Sequence, residues 1–596
     1  MEETKYYRFS VGSVIVRRTG NKIEKRGKRG IWEDAPQLYR RFVLPDSDLT
    51  EISEEEALRM MKNRTTFKVY TRNADPGAYP AGLAGSVHFA YTDENGEEIP
   101  LNKNYGILFT KGEISAENTI IPMGIQNPQI FDMGDGVTGI CAEVIYENGD
   151  PVPAYKDHRV LWKTTDLIHF EEAGILPKTG LSGYDLSDTI AIPTGISDKA
   201  IRYWTPITCT GVELPEDIRA AYDEDPEHMY VRVNYSDGSK ASKRIIWDRG
   251  KSSDACLHGT ISRQSFSFPL AMGYGDPVIF KWGVKWYFLG TNDNLNDIGI
   301  YIREADTVEG LFAEGITEHL ILPFDEKRGF EQTFWAPEFH VIGGKTCILF
   351  AVSGHTWGPQ CHYMRLKDGE NPVNEDAWED PIRVVKKDGT PLTTDGITLD
   401  MTYIKALSGS YMVWSYRKDI GTPADTGSML YIARVSEEEP WKLTGDPVLL
   451  SRPLYGWENL EGTINNEGPY ALVRDGKVYL AYSGGSANAY TYALGLFTAD
   501  STADLCDIAS WYKSITPVLT YYSVDGEYGP GHHSFYTNEE GETMIAYHAE
   551  TNIKEHLRCD GIRRVHFRED NTPYFQMSPE EDLPESLIPL SPKQGA

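Results

Sequence analysis

The sequence predicts an all-β protein whose second half is a five-bladed β-propeller. A β-rich region and a small Ig-like module are expected before it. Three observations carry this prediction. A strand motif recurs five times at near-regular spacing. Aromatic residues make up 12% of the chain, with 35 Tyr and 13 Trp, and such residues favour pleated, half-buried strands. Helix signals are scarce, while short apolar runs broken by Gly, Asp and Asn are frequent.

The elements follow in chain order. Residues 1–205 read as an accessory β-domain. Its one evident helix signal is "SEEEALRMMKNR" (53–64), where Ser53 and Glu56 have capping-box spacing ahead of Leu58, Met60 and Met61. The runs at 84–109, 127–146 and 158–176 alternate like blade strands, so this region is either a partial propeller or a sandwich. Residues 206–265 place two strands around an Asp-Gly turn, the expectation for a compact Ig-like module. The propeller is expected over 266–572, and 573–596, rich in Pro and acid, as a tail draped on the surface.

The repeat consists of "WGVKWYFLGT" (282–291), "GGKTCILFAVS" (343–353), "LSGSYMVWSY" (407–416), "RDGKVYLAYSG" (474–484) and "EEGETMIAYHA" (539–549). Each copy is a tight turn, an alternating apolar strand, and then a small or polar residue. Copies lie about 60 to 68 residues apart, somewhat longer than the roughly 40–50 of common propeller repeats, with several strands each. Further strands follow several of them, as in "IGIYIREAD", "SMLYIARVS" and "YALGLFTADS".

Composition excludes several functions. A net charge of −30 repels phosphate backbones and anionic membranes, so neither nucleic acid nor membrane is expected as a partner. A neutral substrate meets no such barrier, and abundant aromatics suit the apolar faces of sugars. The seven Cys are scattered and lack CxxC spacing, which argues against a disulfide framework or a zinc site. With no apolar signal segment at the N-terminus and no run of 18 apolar residues, the expectation is a cytoplasmic chain.

A propeller gathers the innermost strands of its blades around one axis, so distant acids converge there. Asp276 lies in "GYGDPVIF", between a Gly and a Pro that restrict its backbone; its bland reading is a turn residue. Asp400 interrupts the apolar run "GITLDMTYI", where a desolvated carboxylate is costly. Glu467 sits in "NNEGPY", and its bland reading is a strand-edge acid. All three stand about 8 to 12 residues before the aromatic centre of their blade, which places them at one end of the axis. Glu338, in "FWAPEFHV", keeps this offset among bulky neighbours and reads as supporting or substrate-lining.

At these residues the chain resembles glycoside hydrolase family 43. The ordered segments are "DPVIFKWGVKWYF", "FWAPEFHVIGGK", "LDMTYI", "YMVWS", "NEGPYALVRDGKVYLAYS" and "YGPGHHSFYTNEEGETMIAYHA". That resemblance implies a five-bladed propeller with Asp276 as general base, Glu467 as general acid, and Asp400 orienting Glu467 and raising its pKa. It further implies an inverting reaction, in which one carboxyl is ionised to activate water and the other protonated to serve the leaving oxygen. It implies no required cofactor, but a calcium ion or water cluster beside His532; such an ion would be held mainly by water. Trp335, Tyr403 and Trp414 are candidate sugar-contacting aromatics, against a reading as blade core. Among Arg558, Arg563 and Arg564, Arg558 is the candidate for substrate hydroxyls.

The family's members include α-L-arabinofuranosidases, arabinanases and β-xylosidases. The expectation is an exo-acting α-L-arabinofuranosidase on arabino-oligosaccharides or hemicellulose side chains. A β-xylosidase on xylo-oligosaccharides, a non-catalytic sugar-binding propeller and a phosphorylase remain as alternatives. The region ahead of the propeller is expected to cover one rim of the pocket or to make a homo-oligomer interface.

Overall fold

A computed structural model describes residues 4–9, 15–26, 32–43, 49–54, 56–57, 64–252, 256–263, 267–554 and 556–590. The chain forms two compact units. One comprises Met1–Lys111 with Pro122–Pro206, the other Gly112–Ile121 with Ile207–Ala596.

The first unit is built from antiparallel strands. A five-stranded sheet runs from Trp32–Asp34 at one edge to Leu49–Ile52 at the other, with Thr4–Phe9 beside the latter. One four-stranded sheet runs in chain order from Met123–Gly134 to Glu171–Pro177. A second pairs Thr189–Pro193 with Arg64–Tyr70, followed by the helix Thr194–Trp204. At the expected helix of 53–64, the Glu56 amide donates to Ser53 Oγ at 3.0 Å, the first half of the capping box. Leu58, Met60 and Met61 lie outside the described residues, and Arg64 already belongs to a strand.

In the second unit, five four-stranded antiparallel sheets occur among the described residues, each beginning with a long inner strand. These inner strands are Tyr274–Trp282 (blade 1), Gln332–Ile342 (blade 2), Gly396–Ala406 (blade 3), Asn466–Arg474 (blade 4) and Tyr528–Thr537 (blade 5). The second strand of each blade is the repeat motif: Lys285–Asn292, Lys345–Ser353, Gly409–Lys418, Lys477–Gly484 and Thr543–Glu550. Blades 1 to 4 are contiguous in sequence. Blade 5 takes its outermost strand, Ser267–Leu270, from ahead of blade 1, where it pairs with Cys559–Arg564. This closes the ring and leaves no open end to the circle of blades.

The core lies between blades. Phe280 of blade 1 stacks on Phe339 of blade 2 with ring centroids 3.5 Å apart. Met401, Met412 and Trp414 of blade 3 pack with Ile342, Cys347 and Leu349 of blade 2. Trp286 and Phe288 of blade 1 pack with Tyr536, Met544 and Ile562 of blade 5. The alternating apolar repeats therefore bury faces that a single blade could not cover alone.

Residues 206–265 differ from the expectation. They form one antiparallel sheet of Cys209–Glu213, Tyr230–Tyr235, Lys240–Trp247 and Gly259–Ile261, with the helix Ile218–Glu224 packed against it. An Ig-like module needs two facing sheets; here a helix supplies the cover. The C-terminal segment is not a draped tail either. Pro589–Leu590 adds a fifth strand beside Gly259–Ile261, and Tyr574, Met577 and Leu583 enter the core of this module. Its acid Asp582 is fully buried, accepting from Lys243 Nζ and Tyr235 OH at 2.8 Å each and from the Arg564 guanidinium. The acidic composition was misleading because this carboxylate is neutralised by two buried cations.

Candidate active site

One backbone device recurs in all five blades. Asp276, Ala336, Asp400, Gly468 and His532 each have positive φ, at 57°, 47°, 53°, 52° and 39°. They stand 60, 64, 68 and 64 residues apart. At each, the inner strand slips register against the second strand, between Gly275 and Val278, Trp335 and Glu338, Leu399 and Thr402, Glu467 and Tyr470, and Gly531 and Ser534. A bulge at this point re-aims the side chains around it. Four of the five are not glycine, and each such residue costs on the order of 1 kcal/mol or more of backbone strain. Gly468 has no alternative: a Cβ there would stand 2.9 Å from the His532 ring, in addition to the strained φ.

The small or polar residues that end the repeat strands support these bulges. Thr291 Oγ1 donates to Asp276 Oδ2 at 2.5 Å and accepts the Ala336 amide at 2.9 Å, tying blade 1 to blade 2. Ser415 Oγ reaches Asp400 Oδ2 at 3.4 Å. Ser483 Oγ accepts the His532 amide at 2.8 Å, and His548 Nδ1 accepts the Asp276 amide at 3.2 Å.

The predicted acids converge in this ring, with distinct surroundings. Asp276 is buried, with Oδ1 accepting from Arg558 Nη1 at 3.0 Å and lying 3.0 Å from His532 Nδ1. Burial pushes its pKa up, but the charges of His532 and Arg558, with His548, outweigh that and hold it well below the usual carboxylate range. Asp400 is buried and accepts the Gly468 amide at 3.0 Å through Oδ2. Burial raises its pKa; His532 opposes this and Asp276 reinforces it. Glu467 immediately precedes that amide. Burial, and next the like charge of Asp400, push its pKa up to about 8, against the opposing influence of Tyr492. Tyr492 OH donates to Glu467 Oε1 at 2.9 Å. The ring thus holds one carboxyl ionised and one protonated near neutral pH, the division that acid–base chemistry requires.

Other predicted residues divide. Glu338 is buried and bonded to His340 at 2.8 Å. Burial raises the pKa of Glu338 well above normal and lowers that of His340 to about 3, so the pair is a neutral hydrogen bond. Arg558 also forks onto Asp293, with Nε at 2.9 Å and Nη2 at 2.5 Å. Trp335 is part-exposed and donates to Asp297 Oδ2 at 2.8 Å. Trp414 does not line a pocket: it is 2% exposed and stacks on Tyr431 in the core between blades 2 and 3. Tyr403 packs against the same core with its OH 2.9 Å from Ser410 Oγ. Both therefore face the packed core between blades 2 and 3 rather than a pocket. Arg563 and Arg564 are spent on structure, on Tyr547 and Glu527 and on Asp582 respectively.

His532 spends Nδ1 on Asp276, and among the described residues no group of three or more His, Cys, Asp or Glu is arranged to hold a metal ion.

Sequence reasoning missed Thr291, Tyr492 and His548. The polar residue ending each repeat strand was the available signal for Thr291 and His548. Tyr492 had none, since it reaches the ring from a loop.

Residues 269–573, just over half the chain, match the family described as Glycosyl hydrolases family 43. An extracellular exo-α-(1→5)-L-arabinofuranosidase of Streptomyces avermitilis is 31% identical over 322 residues, 52% of this chain and 63% of that protein. An extracellular exo-α-(1→5)-L-arabinofuranosidase of Streptomyces chartreusis is 32% identical over 285 residues, 47% of this chain and 81% of that protein. An α-L-arabinofuranosidase structure from Lactobacillus brevis is 31% identical, covers 52% of this chain and 95% of its own, and superposes with a TM-score of 0.45. The chain thus spans less than two thirds of the length of the S. avermitilis protein. The extracellular names of both Streptomyces proteins overturn the cytoplasmic expectation. The matched residues coincide with the ring of blades and its acids, and the chain belongs to family 43 of the glycosyl hydrolases.

Proposed function

We propose that the protein is an inverting, exo-acting α-L-arabinofuranosidase on arabino-oligosaccharides or hemicellulose side chains. The observation that carries this is the opposite tuning of two carboxyls on one ring of bulges, Asp276 held ionised and Glu467 held protonated up to about pH 8. Asp276 takes a proton from water as that water attacks the anomeric carbon. Glu467 gives its proton to the glycosidic oxygen as the bond breaks. Asp400 holds the Gly468 amide beside Glu467 and supplies the like charge that keeps the proton on it. Arg558 fixes Asp276, and the part-exposed Trp335 offers an apolar face to the sugar. The arabinofuranosidase names of the similar proteins favour arabinose over xylose.

The test is hydrolysis of 4-nitrophenyl α-L-arabinofuranoside against 4-nitrophenyl β-D-xylopyranoside, with the first-formed anomer followed by NMR. The proposal expects preference for the arabinofuranoside and inversion at the anomeric carbon. Asp276→Asn should lower turnover by about two orders of magnitude or more, as should Glu467→Gln on a sugar leaving group. Preference for the xyloside, retention of configuration, or near-normal turnover by either variant overturns the corresponding part.

A further inference from the structure

Tyr492 lies outside the inner strands, directly ahead of the third strand of blade 4, Ala493–Asp500. It is nonetheless completely buried against the ring of acids. Two contacts lock its ring. It stacks with His548, centroids 5.5 Å apart and planes within 4°. It also lies against Gly531, where a Cβ would come within 2.3 Å of ring carbons Cδ1 and Cε1. The glycine of "GPGHH" therefore makes room for this tyrosine. Packed in this way, the ring directs its hydroxyl to donate to Glu467 Oε1 at 2.9 Å.

We propose that Tyr492 is a positioning residue that confines the catalytic proton to Oε2 of Glu467 and stabilises the carboxylate left when that proton departs. The inference rests on the reading of Glu467 as general acid. A phenol that stays protonated at working pH is a donor toward a carboxyl, and burial raises the pKa of Tyr492 well above its ordinary value. An oxygen that accepts from it is a poor place for the acid's own proton, so the proton resides on Oε2. As the glycosidic oxygen takes that proton, negative charge develops on Glu467, and the bond to Oε1 strengthens. A hydrogen bond to a charged group is worth more than one to a neutral group, so Tyr492 favours the transition state over the ground state. The groups that act on Glu467 are Asp400 and Arg417 of blade 3, Asp276 of blade 1, and Tyr492. Of these, Tyr492 is the one hydrogen-bonded to its carboxyl oxygen.

The experiment compares Tyr492→Phe and Glu467→Gln with wild type on two substrates, α-1,5-arabinobiose and 4-nitrophenyl α-L-arabinofuranoside. A sugar alcohol needs a proton to leave, whereas nitrophenolate leaves largely without one. Tyr492→Phe is expected to lower kcat on arabinobiose by about tenfold or more, with KM little changed and a much smaller loss on the nitrophenyl substrate. The basic limb of its kcat/KM profile should move to higher pH, because the removed bond had favoured the ionised form. A merely structural role would slow both substrates alike and leave that limb in place; either result overturns the proposal. Glu467→Gln separates the two readings. If it shows the leaving-group dependence and Tyr492→Phe does not, the role of Tyr492 fails alone. If Glu467→Gln lacks it, the assignment of the acid fails.

Discussion

Replacing Asp400 by Asn tests the electrostatic link between the acids. Asp400 and Glu467 share a low-dielectric site, and the charge of Asp400 is, after burial, the main cause that keeps Glu467 protonated up to about pH 8. A nearby like charge moves a pKa by roughly one to three units, so its loss should bring the Glu467 pKa down to about 6. At pH 7 a group of pKa 8 is about nine-tenths protonated, and one of pKa 6 about one-tenth. Tenfold of the active form is therefore lost at neutral pH from this cause alone, while at pH 5 the two proteins differ little in protonation. Asn still presents a carbonyl oxygen to the Gly468 amide, so the loop bond has a substitute acceptor. The assay is kcat/KM on arabinobiose from pH 4 to 10, which reports the free enzyme. The reasoning fails if the basic limb of Asp400→Asn coincides with wild type or lies above it.

Other outcomes follow from the same geometry. Gly468→Ala adds a Cβ 2.9 Å from the His532 ring at a φ of 52°, and should cost about 1–3 kcal/mol by denaturant melting together with most of the activity. Asp582→Asn leaves Lys243 and Arg564 buried without their carboxylate, and a loss of about 3–5 kcal/mol in stability is expected, with kcat preserved in the folded fraction. Trp335→Ala should raise KM with little change in thermal midpoint, whereas Trp414→Ala should cost about 3–5 kcal/mol of stability.

The propeller was legible because each repeat strand is buried by neighbouring blades and so keeps a clear apolar pattern. The acids were legible for a related reason. Asp400 interrupts an apolar run, and Asp276 and Glu467 share its offset from a strand that sequence does reveal. What periodicity could not show was direction. Trp414 and Asp400 lie in the same sheet, yet Trp414 packs between blades while its strand neighbour Ser415 reaches Asp400 in the ring. The Ig-like reading failed because strand signals around Asp237–Gly238 do not say whether a sheet or a helix covers them. Tyr492 was invisible for a third reason. Its function depends on Gly531 and His548, two residues of the next blade.

The ring also explains how one repeated backbone device serves opposite chemical ends. Every blade offers a bulge at the same height, but the residues there have diverged into Asp, Ala, Asp, Gly and His. Identical acids at all five would repel one another and take up protons together. Instead Asp276 stands where His532 and Arg558 supply positive charge, so it ionises first. That ionisation, with the charge of Asp400, then opposes ionisation of Glu467. Acid and base are thus set by their surroundings rather than by residue type, and the ionised Asp276 adds to the burial and the Asp400 charge that keep Glu467 protonated. Neutralising Asp276 should for this reason lower the pKa of Glu467 as well as remove the base. Asp276→Asn is therefore expected to shift the titration of Glu467 downward, as read by NMR of a carboxyl-labelled sample. An unmoved titration would mean that the two sites are electrostatically independent.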